Sequence, residues 1–297
     1  MQKISSKIIS IIGWNLLIIC SLLLSIYFYN FLMRNTSYDN KYAFAKNIQR
    51  IFQDRKSSIS RKDVEAYALK FKIKDQPMNV TSAFGFNLSY VDLSNLYMKF
   101  ANLRGANLSY ASLNMTNLSN ADMTGVDLTK ANLRGAYMHE AIMNRGILKE
   151  ANFEFADLRR ASFIGSYLVG ANFTGADLRD ADLIDVDLSG ADLSHADLSG
   201  AKLYRAKLHL ANLTDTKCEH TVFYQATISY ANLSNANFQR AHLVDVNINH
   251  SNMQKTNFSN ADLRGAVLKN NDSTNANFHL AKMDYVSSIQ FQNVGVE

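Results

Sequence analysis

An all-β solenoid, preceded by a transmembrane helix and short basic helices, is the fold class this sequence predicts. Three observations carry that reading. Large apolar residues recur every fifth position from Leu88 to Met283, an uncharged apolar run extends from Ile8 to Met33, and a basic segment joins the two. Charge is unevenly divided. Residues 1–80 hold 13 Lys/Arg against 5 Asp/Glu, a balance of +8, while residues 81–297 hold 18 against 21, a balance of −3. The overall +5 therefore belongs to the amino-terminal part and not to the repetitive body.

Residues 1–7 form a basic tail with Lys3 and Lys7. The run that follows, residues 8–33, contains no charged side chain in 26 residues. A membrane-spanning helix needs about 20 residues, and Trp14, Tyr27 and Tyr29 suit the headgroup level. A cleaved signal peptide is the alternative, but its apolar part is usually about 7–15 residues and ends at a small-residue site. The Ala43-Phe44-Ala45 triplet lies well past the run, so the segment reads as an uncleaved anchor. The expected location is a single-pass position in a bacterial inner membrane. Lys3 and Lys7 on one side are matched by Arg34, Lys41 and Lys46 on the other, which leaves the side of the body open.

Residues 34–80 read as a basic helical linker or cap. Tyr42, Ala45, Ile48, Ile51 and Phe52 follow helical spacing. Ser60 and Asp63 resemble a capping box that starts a second helix, with Val64, Tyr67, Ala68 and Phe71 on one side. Pro77 closes the segment. Such helices could lie on anionic lipid, or cover the open end of a repeat stack, which needs a polar cap. The second role is favoured.

The body, residues 81–285, is built on the step of five. In the stretch Ser189 to Ala201, SGADLSHADLSGA, Ala191, Ala196 and Ala201 alternate with Leu193 and Leu198. From Leu88 to Met283 there are 40 such large positions without an insertion, and 38 hold Leu, Met, Ile or Phe; Cys218 and Ser273 are the exceptions. Two residues earlier, 37 of 40 are Ala, Gly, Ser, Thr or Val, with Phe86, Leu96 and Asn271 outside the rule. In an α-helix a step of five turns about 500°, so the leucines would visit every face. In a flat strand an odd step flips them to opposite sides. A chain that turns a corner in each repeat satisfies both, because every large residue and its small partner then point into one core. Leu188, Leu193, Leu198, Phe238, Phe258 and Phe278 are core residues on this reading. Phe238, Phe258 and Phe278 are spaced by twenty, as are Phe153 and Phe173, Tyr90 and Tyr110, and Tyr204 and Tyr224. If four repeats make a coil, these rings stack.

The repeats ANLRG at Ala101 and Ala131, ADLSG at Ala196 and ANFTG at Ala171 resemble the pentapeptide repeat family, whose consensus is close to A(N/D)LXX. The resemblance covers about Phe86 to Met283. It implies a right-handed quadrilateral β-helix with four repeats per coil, hence about ten coils. It does not reach the anchor or the basic helices, and it does not fix a function.

Chemistry is sparse. There is no phosphate-binding glycine loop, no HExxH and no paired Cys-x-x-Cys. No catalytic, cofactor or metal residue is assigned. Cys20 and Cys218 imply no disulfide framework, and in Cys218-Glu219-His220 the thiol should point inward and the imidazole outward. The outstanding surface feature is acidic. Asp177, Asp180, Asp182, Asp185, Asp187, Asp192 and Asp197 fall within 21 residues, opposed by Arg179. They form a candidate partner surface. Two function classes follow. One is a non-enzymatic, membrane-tethered scaffold offering rigid walls to an unknown protein partner; the other is a DNA mimic directed at gyrase or topoisomerase through that acidic belt. Direct nucleic-acid binding is disfavoured. Residues 286–297 read as a C-terminal cap or tail, through which Ile289 and Phe291 could join a second copy. The repeat Asn271-Asp272-Ser273-Thr274-Asn275 is the one with no apolar residue, so its inward groups must find hydrogen bonds, water or an outward bulge. It is the expected weak point of the stack.

Overall fold

The computed structural model describes residues 60–72 and 77–287. All of them belong to one compact unit, Ser57–Glu297. The expected anchor over residues 8–33, the first basic helix, Cys20, Ile289 and Phe291 lie outside the described residues. Among the described residues no helix is long and apolar enough to cross a membrane.

The body is a parallel β-solenoid whose chain returns to itself every twenty residues. Asn87 pairs with Asn107, Asp92 with Ser112, Tyr97 with Asn117 and Asn102 with Asp122, all parallel, and the same offset continues to Val267 with Ser287. Four repeats therefore make one coil, and the forty repeats make ten coils with four faces. At about 4.8 Å per coil the stack is about 50 Å long. Faces 1 to 4 are those whose first large residues are Leu88, Leu93, Met98 and Leu103.

One repeat, Ala191 to His195, shows why the sequence has this form. Each backbone N–H of a repeat needs an acceptor. Ala191 N–H donates to Leu188 O at 3.0 Å and closes the corner. Asp192 N–H donates to Ala171 O of the preceding coil (2.9 Å), while Leu193 and His195 N–H donate to Asn212 O (2.7 Å) and Thr214 O (3.0 Å) of the following coil. That leaves Ser194 N–H, and the Asp192 side chain accepts it at 2.9 Å. The Asn or Asp of the consensus is thus the acceptor for the one N–H that the backbone cannot satisfy, an Asx turn. The fifth residue is left-handed in all forty repeats, with φ between 50° and 73° from Tyr90 to Tyr285. A positive φ there, together with the bond across the corner, defines a type II turn. Glycine has no penalty in this region, yet 31 of the 40 are other residues, so inter-coil bonding outweighs a cost of about 1 kcal/mol at each.

The third residues fill the interior. Leu188, Leu193 and Leu198 have no accessible surface, nor do Phe238 and Phe258; Phe278, in the last coil, is 8% exposed. Rings in register stack: Phe153 on Phe173 at 4.9 Å, Phe238 on Phe258 at 5.2 Å and Phe258 on Phe278 at 5.0 Å. Phe163 meets both Phe153 and Phe173 edge-on at 6.1 Å. Outside, Tyr90 and Tyr110 lie parallel at 4.8 Å. Tyr204 and Tyr224 do not stack: their rings are 6.1 Å apart and tilted by 59°. They occupy the fourth position of the repeat, where the Tyr224 hydroxyl instead accepts a bond from Gln225.

Hydroxyls at the small first position also have partners. Thr116, Thr216, Thr221 and Thr256 each donate to the carbonyl 23 residues earlier, at 2.7–2.9 Å. Ser166 donates likewise to Met143 O. Asn271 follows the same rule: its Nδ2 donates to Ile248 O at 2.9 Å, while its Oδ1 accepts Ser251 N–H at 2.8 Å. The polar repeat neither bulges nor breaks the register, since Asp272 still pairs with Asn252. On face 1 of these last coils the corner opens into short strands, β1 Thr227–Ser229, β2 Asn247–Asn249 and β3 Val267–Lys269, which pair in parallel in that order.

At the other end, helix α1 (Arg61–Lys72) begins with the expected capping box: Ser60 N–H donates to Asp63 at 3.0 Å and Asp63 N–H to Ser60 Oγ at 3.3 Å. Val64 and Ala68 join the core, and Arg61 donates to Ser94 O at 2.8 Å and pairs with Asp92 at 3.0 Å. Helix α2 (Val80–Phe84) follows Met78 and Asn79, which pair with Asn102 where a further coil would sit. Tyr67 meets Phe84 edge-on at 5.2 Å.

Candidate interaction surface

Each repeat turns three side chains outward, at its second, fourth and fifth positions. The acidic residues divide between two of these. Asp177, Asp182, Asp187, Asp192 and Asp197 are second-position residues, half-buried, and each accepts the N–H two residues on, at 2.9–3.3 Å. Asp180 and Asp185 are left-handed fifth residues at exposed corners. Together the seven encircle the rod, one level tall.

The coils on either side offset that charge. Asp182 is in register with Lys202, Asp187 with Lys207 and Asp197 with Lys217. Arg205 grips Asp185 through two bonds of 2.7 and 2.6 Å, which raises the guanidinium pKa. Asp177 takes Arg179 at 2.6 Å and Arg159 at 3.6 Å. The Arg159 guanidinium, in turn, holds the Asp157 carboxyl below the usual carboxylate range. Read along the chain, the acidic run faces one arginine; read by coils, it is bracketed by cations.

Cys218 is fully buried, and that burial pushes its thiol pKa well up, whereas His220 is exposed. Among the described residues no group of three or more His, Cys, Asp or Glu is placed to hold a metal ion. Gly135 and Gly175 are fifth residues over which the side chains of Met115 and Phe155 lie, and a Cβ at either would meet those atoms at 2.5 Å.

Linear reading misses one surface. On face 4 the fourth positions are Ile164, Ile184, Tyr204, Tyr224 and Val244 over five consecutive coils. On the other three faces the thirty fourth positions hold a single aliphatic or aromatic residue, Val169. Ile142, beside this strip, is 40% exposed and Ile164 37%. The signal is present in the sequence only as a period of twenty.

A sequence profile described as pentapeptide repeats matches residues 87–145 and 147–279, more than half of the chain. HetL, a pentapeptide repeat protein involved in heterocyst differentiation regulation in the cyanobacterium Nostoc, is 28% identical over 72% of this chain and 92% of its own, with a TM-score of 0.39. A pentapeptide repeat protein of the cyanobacterium Cyanothece is 32% identical over 30% of this chain and 58% of its own, with a TM-score of 0.26. QnrB1, a plasmid-mediated fluoroquinolone resistance protein, is 19% identical over 48% and 84%, with a TM-score of 0.26. No curated protein matches the chain at a significant level.

Proposed function

The chain belongs to the pentapeptide repeat family, whose fold is a right-handed β-helix, and from that premise we propose that it is a membrane-tethered, non-enzymatic scaffold for protein interaction. The observation that carries the reading is the joining, in one chain, of an uncharged run of 26 residues to an uninterrupted ten-coil rod. A rod of constant register gives flat, rigid walls, which fix the position of a bound partner at little conformational cost. The strip on face 4, with Ile164 exposed and Ile184, Tyr204, Tyr224 and Val244 half-buried, offers such a partner a row of apolar contacts. The acidic belt does not favour the gyrase-directed alternative, because five of its seven carboxylates are tied into Asx turns and the belt is flanked by Lys202, Lys207, Lys217 and Arg205.

Carbonate extraction of membranes, with protease accessibility on intact and opened vesicles, tests the tether and its sidedness together. The full chain should stay in the pellet, and a variant lacking residues 1–34 should be released as a folded body. Release of the full chain by carbonate would contradict the tether.

A further inference from the structure

Face 4 carries a second pattern besides its apolar strip. An axis drawn across it between the coils of Ile184 and Tyr204 relates each outward residue to one equally far on the other side. Under that operation Ile184 meets Tyr204 and Ile164 meets Tyr224, so four of the five strip residues map onto one another, while Val244 meets Asn144. The charges beside it are opposed in sign. Arg145 meets Asp245 and Asp185 meets Arg205 at one corner of the face, Asp182 meets Lys202 within it, and Glu140 meets Arg240 at the other corner. Several of these groups are already paired within the chain. Asp122 is paired to Arg104 at 2.8 Å and Asp262 to Arg264 at 2.7 Å, which offsets the like-charge meeting of these two carboxylates. Asp185 is also paired to Arg205 at 2.6 Å and Glu140 to Arg160 at 2.8 Å, so Arg145 against Asp245 carries most of the charge complementarity. The same operation on face 3 sets Asp177 against Asp197.

We propose that face 4 is a homodimer interface, in which two copies of the chain pack face to face with their rods antiparallel about a two-fold axis between Ile184 and Tyr204. A self-complementary patch is what such an isologous contact requires. The register runs without interruption from Asn102 to Lys282, so no insertion breaks the face on either copy. Area sets the strength. A face of ten coils, about 50 Å by about 10 Å, offers about 500 Å² per copy, or about 1,000 Å² in all. That is near the lower limit for specific association, so the dimer is of the reversible class. The apolar centre supplies attraction, and the Arg145–Asp245 rim pairs of the antiparallel arrangement add to it. The inference does not depend on the membrane tether.

Cross-linking of the full chain in mild detergent tests it, in a Cys20→Ser background where buried Cys218 remains the only native thiol. Ile164→Cys on one copy should form a disulfide with Tyr224→Cys on a differently tagged copy. Neither variant should cross-link to itself, because like positions are separated by about 14 Å along the rods. Sedimentation gives the second arm. Arg145→Asp and Asp245→Arg should each weaken the dimer by up to about tenfold, since each breaks two symmetry-related rim pairs. The double variant should recover the original affinity; the two positions are about 24 Å apart within one chain, so recovery must come from the partner copy. Self-cross-linking of Ile164→Cys, absence of any cross-link, cross-linking to a different protein in place of the second copy, or failure of the double variant to recover would each overturn the proposal.

Discussion

Two stretches of face 1 hold their coil in different ways. Around Leu188 the corner is closed by backbone, Ala191 N–H to Leu188 O at 3.0 Å, over an apolar interior. From Ile228 onward the corner opens into β1, β2 and β3, and side chains take over: Ser251 Oγ accepts Ala231 N–H at 3.1 Å, and Asn271 bridges Ser251 N–H and Ile248 O. Both stretches keep the twenty-residue register. The corner bond is therefore replaceable, and the inter-coil bonds are what the fold cannot do without.

The sharpest way to break this comparison is to place a charge in the first stretch. Leu188→Asp puts a carboxylate where no solvent reaches, and should cost at least about 3 kcal/mol, while Ser189→Asp one residue on should cost little. Thermal melting of the two variants decides; equal midpoints would contradict the inward placement of Leu188. In the second stretch, Asn271→Ala removes both bonds of the amide and should cost about 1–3 kcal/mol by leaving Ile248 O and Ser251 N–H without that partner. An indistinguishable midpoint would show that solvent replaces the side chain there.

Much of this was legible beforehand. The step of five with its small partner places Leu88 to Met283 inside, and the Ser60–Asp63 pair marks the start of α1. What stayed hidden has one cause. Second-neighbour relations along the chain are visible, but stacking relates residues twenty apart. Lys202 over Asp182 and the strip from Ile164 to Val244 become evident only once the coil holds four repeats. Asn271 looked like a defect because its acceptor and donor, Ile248 O and Ser251 N–H, are backbone groups of the coil before it and carry no mark in the sequence. Of the outcomes expected for that repeat, bonding of its inward amide to backbone is the one observed.

Smaller effects sharpen the account. Gly175→Ala combines a left-handed φ of 64° with contact on Phe155, and should cost about 1–2 kcal/mol, partly recovered by Phe155→Ala in the same chain. Equal costs in both backgrounds would exclude the contact. Acid should also weaken the rod. Burial raises the Asp122 carboxyl, but Arg104 and Thr124 together outweigh it, and Arg159 and Arg264 hold Asp157 and Asp262 below their ordinary range against a smaller effect of burial. A lowered folded pKa adds stability above the unfolded value of about 3.9, and that stability is lost as pH falls through the folded value. Denaturant midpoints should therefore be flat from neutral pH to about 5 and drop below about 4. A midpoint that rose on acidification would contradict these pairings.

Native-state hydrogen exchange at the Ser251 amide tests the central claim most directly, because that N–H is held by the Asn271 side chain alone among the bonds that differ between the two stretches. In the unaltered chain it should be protected alongside the amides near Leu188. In Asn271→Ala it should exchange at least about tenfold faster, the equivalent of about 1.4 kcal/mol, with Leu188 and Ala191 unchanged. Unaltered protection of Ser251 in that variant, or equal acceleration at Leu188, would contradict the claim that an inward polar repeat is held by its own hydrogen bonds.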